Sequence, residues 1–276
     1  MRQGRVRPMG WRRLLLLPIA LLASLAVVLL ARTLAQTPDL DARWRLDASG
    51  HLQMIATDLP WMRPALGHSL EVIVAPGIAP VAVDGHRVVN STRWIASDEE
   101  REAATRQQRQ MARVLQPGVP VMLGFTDRMS ARVTPHARGY TTLGITFWLL
   151  CGLGLALELV GAVVILVRQD VRTLLFAVMA QCQSIELLLA AVDAVPGMGN
   201  VSLLGGHEAA LRMSLDVVTC AALLNATLLY PTPLPPRRAL GWLAWLAAIV
   251  FSGATLLFDL PQAWWWCEAL SLSTGL

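Results

Sequence analysis

"TTLGITFWLLCGLGLALELVGAVVILVRQDVRTLLFAVMAQCQSIELLLAAVDAV", residues 141 to 195, decides the fold. It holds two apolar runs, 142–167 and 174–195, each as long as the roughly 20 helical residues that cross a bilayer. Only the polar stretch around "RQDVR" (168–172) separates them. A link that short makes two long helices antiparallel neighbours, so the stretch predicts a transmembrane hairpin.

Similar runs lie on both sides. Downstream come 209–230 and 240–258, then an interrupted run at 264–276, joined by the short links "PGMGNVSLLGGHE", "PTPLPPRR" and "DLPQA". Upstream, a basic segment 1–13 with five arginines precedes the apolar run 14–32. A positive flank before such a run predicts a helix whose N-terminus stays in the cytoplasm. Small residues in "ARTLAQ" also fit a cleaved signal peptide; the length of the run favours a retained helix.

Composition agrees. Hydrophobic residues make up 55% of the 276 and charged ones 15%, with a mean hydropathy of +0.51. Those values describe a membrane protein embedded in a lipid bilayer. The net charge of +4 comes from arginine alone, without lysine. No basic cluster is large enough to track a phosphate backbone, which argues against a nucleic-acid partner. Cys151, Cys182, Cys220 and Cys267 all lie in apolar runs without CxxC spacing, so they read as small hydrophobes and not as disulfide, redox or metal residues.

Residues 33–139 are polar and punctuated by proline and glycine. Stretches 69–77 and 79–88 read as strands, with Asp84-Gly85 as a tight-turn pair, and 119–125 and 129–135 read as a second strand pair. Between the pairs, Ser97 with Glu100 predicts a capping box opening a helix that Pro117-Gly118 ends. The expectation is an α+β domain between the first and second membrane helices. The whole chain then reads as an α-helical integral membrane protein with about six transmembrane helices, the last incomplete.

Arginine placement sets the orientation. With the first helix leading outward, "RQDVR" and "PPRR" fall on the cytoplasmic side, and the glycine-rich link and "DLPQA" fall outside without arginine. This satisfies the positive-inside rule at every short loop and places 33–139 outside. Trp264 to Trp266 then sit at the outer interface, where indole rings favour the headgroup level. The helix starting there is about half the length of a span, so the chain reads as a piece truncated before a cytoplasmic segment.

No catalytic residue is recognisable: P-loop, GxSxG and HExxH motifs are all missing. His51, His68 and His86 with Asp84 match no metal-ligand spacing, and they read as surface residues before they read as an external sensor. The chemically informative residues are ionisable groups inside apolar runs, above all Glu158, Glu186, Arg212 and Asp216, with Gln181, Gln183 and Asn225 beside them. Such groups are costly in hydrocarbon and face a bundle interior or a cavity. At about 1.5 Å per residue, Glu158 lies roughly 14 Å and Glu186 roughly 20 Å from the cytoplasmic ends of their helices, a depth at which they could share a proton. Arg212 and Asp216, four apart, fall on one face and could pair. These residues form either a responsive polar core or interhelical hydrogen-bonding glue. Gly152, Gly154 and Gly161 offer small surfaces for helix packing.

In overall order, and in "LVRQDVRTLLFAVMAQCQSIELLLAAVDAVPGMG" (166–199) and "LLYPTPLPPRR" (228–238), the chain resembles the N-terminal input region of bacterial membrane sensor histidine kinases. Within the polar domain, "PGIAPVAVDGHRV" (76–88) followed by a helix and "GVPVMLGF" (118–125) is similar to the strand and turn succession of PDZ-like domains. The resemblance implies a multi-pass protein of the bacterial inner membrane with a periplasmic PDZ-like domain. It also implies a homodimer and a cytoplasmic kinase core beyond residue 276 that uses ATP and magnesium and addresses a response regulator. Neither cofactor nor metal is implied within these residues. Other effectors, a diguanylate cyclase or a phosphatase, fit the same input block, and so does a non-enzymatic transport or assembly role. A PDZ-like membrane protease would need a catalytic serine or zinc motif that the sequence does not contain.

Overall fold

The computed structural model describes residues 10–89, 91–198, 206–229 and 237–275. Among them, five helices are long and apolar enough to cross a membrane: Leu14–Ala35, Ile145–Val167, Val171–Asp193, Glu208–Leu228 and Arg238–Phe258. The first belongs to α1 (Gly10–Ala35), which leads into a small antiparallel sheet domain. That domain runs β1 (Pro38–Asp39), β2 (Ala42–Leu46), β3 (Leu52–Thr57), β4 (Ser69–Val74), β5 (Val81–Ala82), α2 (Gly85–Val89), α3 (Asp98–Val114), β6 (Val121–Phe125), β7 (Ser130–Val133) and β8 (His136–Ala137). The helix block follows as α4 (Ile145–Val167), α5 (Val171–Asp193), α6 (Glu208–Leu228), α7 (Arg237–Phe258) and α8 (Ala263–Gly275). This is a helical membrane protein carrying one sheet domain. The predicted proline-and-arginine helix exit at 231–238 lies largely outside the described residues.

The main sheet has the order β2-β3-β4-β6-β7, with β5 also paired to β4. Alternation puts Leu52 and Met54 of β3 and Val121, Leu123 and Phe125 of β6 on one buried face, and the register shift between Leu70 and Val72 of β4 brings Leu70 and Ile73, three residues apart, onto the same face. Met111 and Val114 of α3 close that face. Each such side chain contributes about 1.5–3 kcal/mol by leaving water. The predicted helix is present, with Ser97 Oγ accepting from Glu100 N at 3.5 Å.

The stretch 79–88 departs from the strand expected of it. Only Val81 and Ala82 pair in the sheet, and the chain turns helical at Gly85. Asp84 is the cause. Its carbonyl accepts from Arg87 N and Val88 N, both at 3.2 Å, and its carboxylate accepts from His86 N at 3.1 Å. Asp-Gly thus opens a helix here instead of a hairpin, because an aspartate that turns a strand can equally cap a helix. The β2–β3 hairpin was not expected from sequence. It closes on Asp47, whose Oδ1 accepts from Ser49 N at 2.8 Å and His51 N at 2.9 Å. The His51 bond, then the Ser49 hydroxyl, hold the Asp47 carboxyl below its usual range.

Two features seat the sheet domain on the helices. Strands β1 and β8 pair antiparallel, Pro38 opposite Ala137 and Asp39 opposite His136. Arg138 N and Gly139 N continue the ladder to Thr37 O and Ala35 O. The domain's entry and exit are therefore zipped together where α1 ends. Below this ribbon, Leu34 of α1 packs with Leu143 just before α4, with Phe147 and Cys151 in its first two turns, and with Ala191 and Val192 of α5.

Helices α4 and α5 lie against each other through two glycines. A Cβ on Gly161 would stand 3.0 Å from Ala180 Cβ, and one on Gly154 3.2 Å from Ser184 O. The Ser184 hydroxyl donates to Gly154 O at 2.8 Å. Gly152 has nothing within 4 Å of the same construction. Gly161→Leu is accordingly expected to lower thermal stability in detergent by about 1–3 kcal/mol through overpacking, while Gly152→Leu leaves it unchanged. Circular dichroism melting of the two variants checks this, and equal losses would contradict the packing described.

Candidate functional site

Between α2 and α3 the chain makes a 3₁₀ turn, Thr92–Trp94, capped by Ser91, whose Oγ accepts from Arg93 N at 3.5 Å. The following segment is pinned to α3: Arg101 donates to Ile95 O at 2.6 Å and to Asp98 Oδ1 at 2.8 Å. This places the turn against α6, with Arg93 reaching between two membrane helices. Its guanidinium forks, Nη1 donating to Glu186 Oε2 of α5 at 3.0 Å and Nη2 to Asp216 Oδ2 of α6 at 2.8 Å.

A second arginine completes the cluster. Arg212 Nη2 donates to Asp193 Oδ2 at 2.7 Å, and its Nη1 lies 3.9 Å from Glu186 Oε2. Helix periodicity brings these groups together, since Glu186 and Asp193 are two turns apart on α5 and Arg212 and Asp216 one turn apart on α6. The side chains of Arg212 and Glu186 are 4% and 8% exposed, those of Arg93 and Asp216 27% and 30%. The cluster therefore has a dry floor in the helix block and a wetter rim at the sheet domain.

Of the residues singled out by sequence, Glu186, Arg212 and Asp216 come together here. Arg212 turns to Asp193 and Glu186, and Asp216 turns to Arg93, in place of the i,i+4 pair between them. Glu158 stands apart. Gly154 lies at the level of Ser184 and Leu187, and Gly161 at that of Ala177 and Ala180, so Glu158 is about one turn farther from the sheet domain than Glu186. Its Oε2 is shielded without a hydrogen-bond partner, and no hydrogen bond links it to Glu186 among the described residues. Gln181 and Gln183 face outward. Asn225 donates to Ala221 O at 2.9 Å and to Gly241 O at 3.5 Å, tying α6 to α7.

Two members were missed in the sequence. Asp193 was read as part of an apolar run. Arg93 was one arginine among many in the polar domain, although its neighbour Trp94 was a usable signal: the guanidinium carbon lies 5.0 Å from the Trp94 ring, and paired cationic and aromatic side chains mark membrane interfaces.

Other attachments surround the cluster. Gln262 N, just before α8, donates to Asp98 Oδ2 at 2.6 Å. Arg138, its side chain 1% exposed, lies 3.9 Å from Asp39. Burial pushes its guanidinium below the usual arginine range, opposed by the charge of Asp39. The histidines are dispersed: His51 beside Asp47, His68 3.4 Å from Asp127 and His136 3.5 Å from Asp41. Among the described residues no three His, Cys, Asp or Glu side chains are grouped to hold a metal. The arrangement is an electrostatic clamp between the sheet domain and the helix block. Comparison with protein-family models, characterised proteins and solved structures gives no match.

Removing one partner of such a cluster leaves another charge buried alone, which costs about 3–5 kcal/mol in fully dry sites and less at this half-wet rim. Arg93→Ala is expected to destabilise the protein by about 2–4 kcal/mol on that basis. The cycle of Arg93→Ala with Asp216→Ala is expected to show a coupling of about 1–2 kcal/mol. Additive losses in chemical unfolding would show that the two side chains do not interact.

Proposed function

We propose that this chain is the input module of a transmembrane signalling protein of the bacterial inner membrane, with a histidine kinase core as its effector. The observation that carries the reading is Arg93, a side chain of the sheet domain that bonds carboxylates on two different membrane helices. Any displacement of the domain changes the electrostatics between α5 and α6 directly. A signal carrier needs such an element, one that holds two packings apart by a discrete change of partners.

Orientation follows from arginine. Arg168, Arg172 and Arg238 lie at the helix ends opposite the sheet domain, so by the positive-inside rule that end is cytoplasmic and the sheet domain periplasmic. Arg172 also donates to Leu229 O at 2.8 Å, tying the start of α5 to the end of α6 on that side. Helix α8, of 13 residues, starts at the domain side and, in this reading, runs inward toward the effector. A PDZ-like reading of the sheet domain is supported by α3 lying alongside the short strand β5. A cleft of about 490 Å³ runs between them, lined by Arg87, Arg106 and Arg113.

Reading the coding sequence past Leu276 is expected to reveal a histidine-bearing dimerisation helix and an ATP-binding domain. In the resulting full-length protein in proteoliposomes, Glu186→Gln is expected to shift autophosphorylation by about threefold or more, the response to a population change worth ~0.7 kcal/mol. Different downstream domains would replace the kinase assignment. Unaltered phosphorylation per molecule in Glu186→Gln would remove the clamp from the signalling path.

A further inference from the structure

A second feature spans the same two parts of the molecule. A cavity of about 670 Å³ opens between the sheet domain and the nearby helix ends. Trp44, Ile55 and Val88 form its wall on the domain side, and Val195 and Met198 its wall beyond α5. Its volume suits an organic molecule, and seams between structural units are where such sites collect. Ile55 is 46% exposed, an uncovered apolar side chain on that wall. The plane of Trp44 is set by stacking on Phe125, with centroids 6.3 Å apart and 8° between planes.

The charged groups in the lining are unequal in sign. Four carboxylates, Asp39, Asp41, Asp58 and Asp193, face one guanidinium, Arg43. Two of the four are balanced from outside the cavity: Arg212 bonds Asp193, and Arg138 lies against Asp39. Among the described residues, Asp41 has the His136 ring at 3.5 Å as its one charged neighbour, and Asp58 has no ion-pair partner. Against Arg43 there remain two acids, beside an aromatic ring and aliphatic walls. An anion would meet unbalanced carboxylates, and a neutral solute would leave them uncompensated. An organic cation satisfies both parts of the lining, its charge against Asp41 and Asp58 and its body against Trp44 and Ile55.

We propose that this cavity between the sheet domain and the helix block binds a small organic cation with an apolar body. The binding stands on the cavity alone; that it serves as the stimulus rests on the signalling reading above. Through Asp193 the cavity adjoins the clamp, so an occupant would sense and bias the same arrangement of α5 and α6 that Arg93 reads.

The test titrates the full chain, in lipid nanodiscs, with benzyltrimethylammonium and with benzenesulfonate, which share an aromatic body and differ in the sign of charge. Isothermal calorimetry is expected to show saturable binding of the ammonium at least about tenfold tighter than of the sulfonate. Asp58→Asn, at an exposed position, is expected to weaken the ammonium about tenfold, and Ile55→Trp, which fills the cavity, to abolish its binding. Absence of saturable ammonium binding, equal affinity for both probes, or binding unchanged in both variants would overturn the site. None of these outcomes touches kinase output, so this proposal and the signalling reading fail separately.

Discussion

A charge in a low-dielectric interior must be paired, and here one of the pairing charges comes from outside the helices. Glu186 and Asp216 are placed by helix periodicity inside apolar segments, where an unpaired carboxylate is costly. Arg212 serves Glu186 only at 3.9 Å, because its close bond is to Asp193. Arg93 supplies what the helix block lacks. The local chemistry of residues 91–101, from the Ser91 cap to the Arg101 bonds, is what holds that guanidinium in position. The seating of the sheet domain on α5 and α6 therefore depends on a turn of three residues.

The other attachments are of a different kind. Toward α1 and α4 the domain is joined by backbone, through the β1–β8 ribbon and its continuation to Ala35, and below the ribbon by close apolar packing around Leu34 and Phe147. Toward α6 and the link before α8 it is joined by side-chain charge, at Arg93 and at Asp98, while just past α5 Met198 is buried in the domain's apolar core. Backbone ladders and packed side chains resist graded deformation, whereas ion pairs exchange partners in discrete steps. The contrast gives the domain a fixed edge and a releasable one.

Much of the architecture was legible because membrane helices advertise themselves by length and hydropathy. The runs at 142–167, 174–195, 209–230 and 240–258 each overlap an observed helix, with ends displaced by a few residues where caps such as Asp170 decide the start. The sheet domain was harder. Helix α3 was visible through Ser97 and its acidic first turn, but β2 alternates over only five residues, Ala42 to Leu46, and β3 breaks the period at Ile55-Ala56, so the pair gave no sustained strand pattern. Asp84-Gly85 was ambiguous because one side chain serves both turn and cap. In the candidate site, three of the five members were visible as ionisable residues in apolar runs. Their partners were not, because pairing across 93 and 123 residues of chain is a property of the fold and not of any local pattern.

The position of the cavity follows from the same asymmetry. It lies over the end of α5, between the backbone-joined edge at β1 and the charge-joined edge at Arg93, and Asp193 belongs to both the cavity wall and the clamp. Among the described residues Asp193 has one guanidinium partner, Arg212, and that arginine is also the second cation near Glu186. A cation held at Asp41 and Asp58, as proposed, would add positive charge beside Asp193, and Arg212, with both Asp193 and Glu186 within 4 Å, is the side chain through which that change would reach the Glu186–Arg93 bond. The path from the cavity to the turn runs through Asp193, Arg212 and Glu186, of which Arg212 and Glu186 each have two oppositely charged partners within 4 Å. Coupling of this type requires no deformation of the helices themselves, only a redistribution of bonds among charges that the low dielectric already forces into contact.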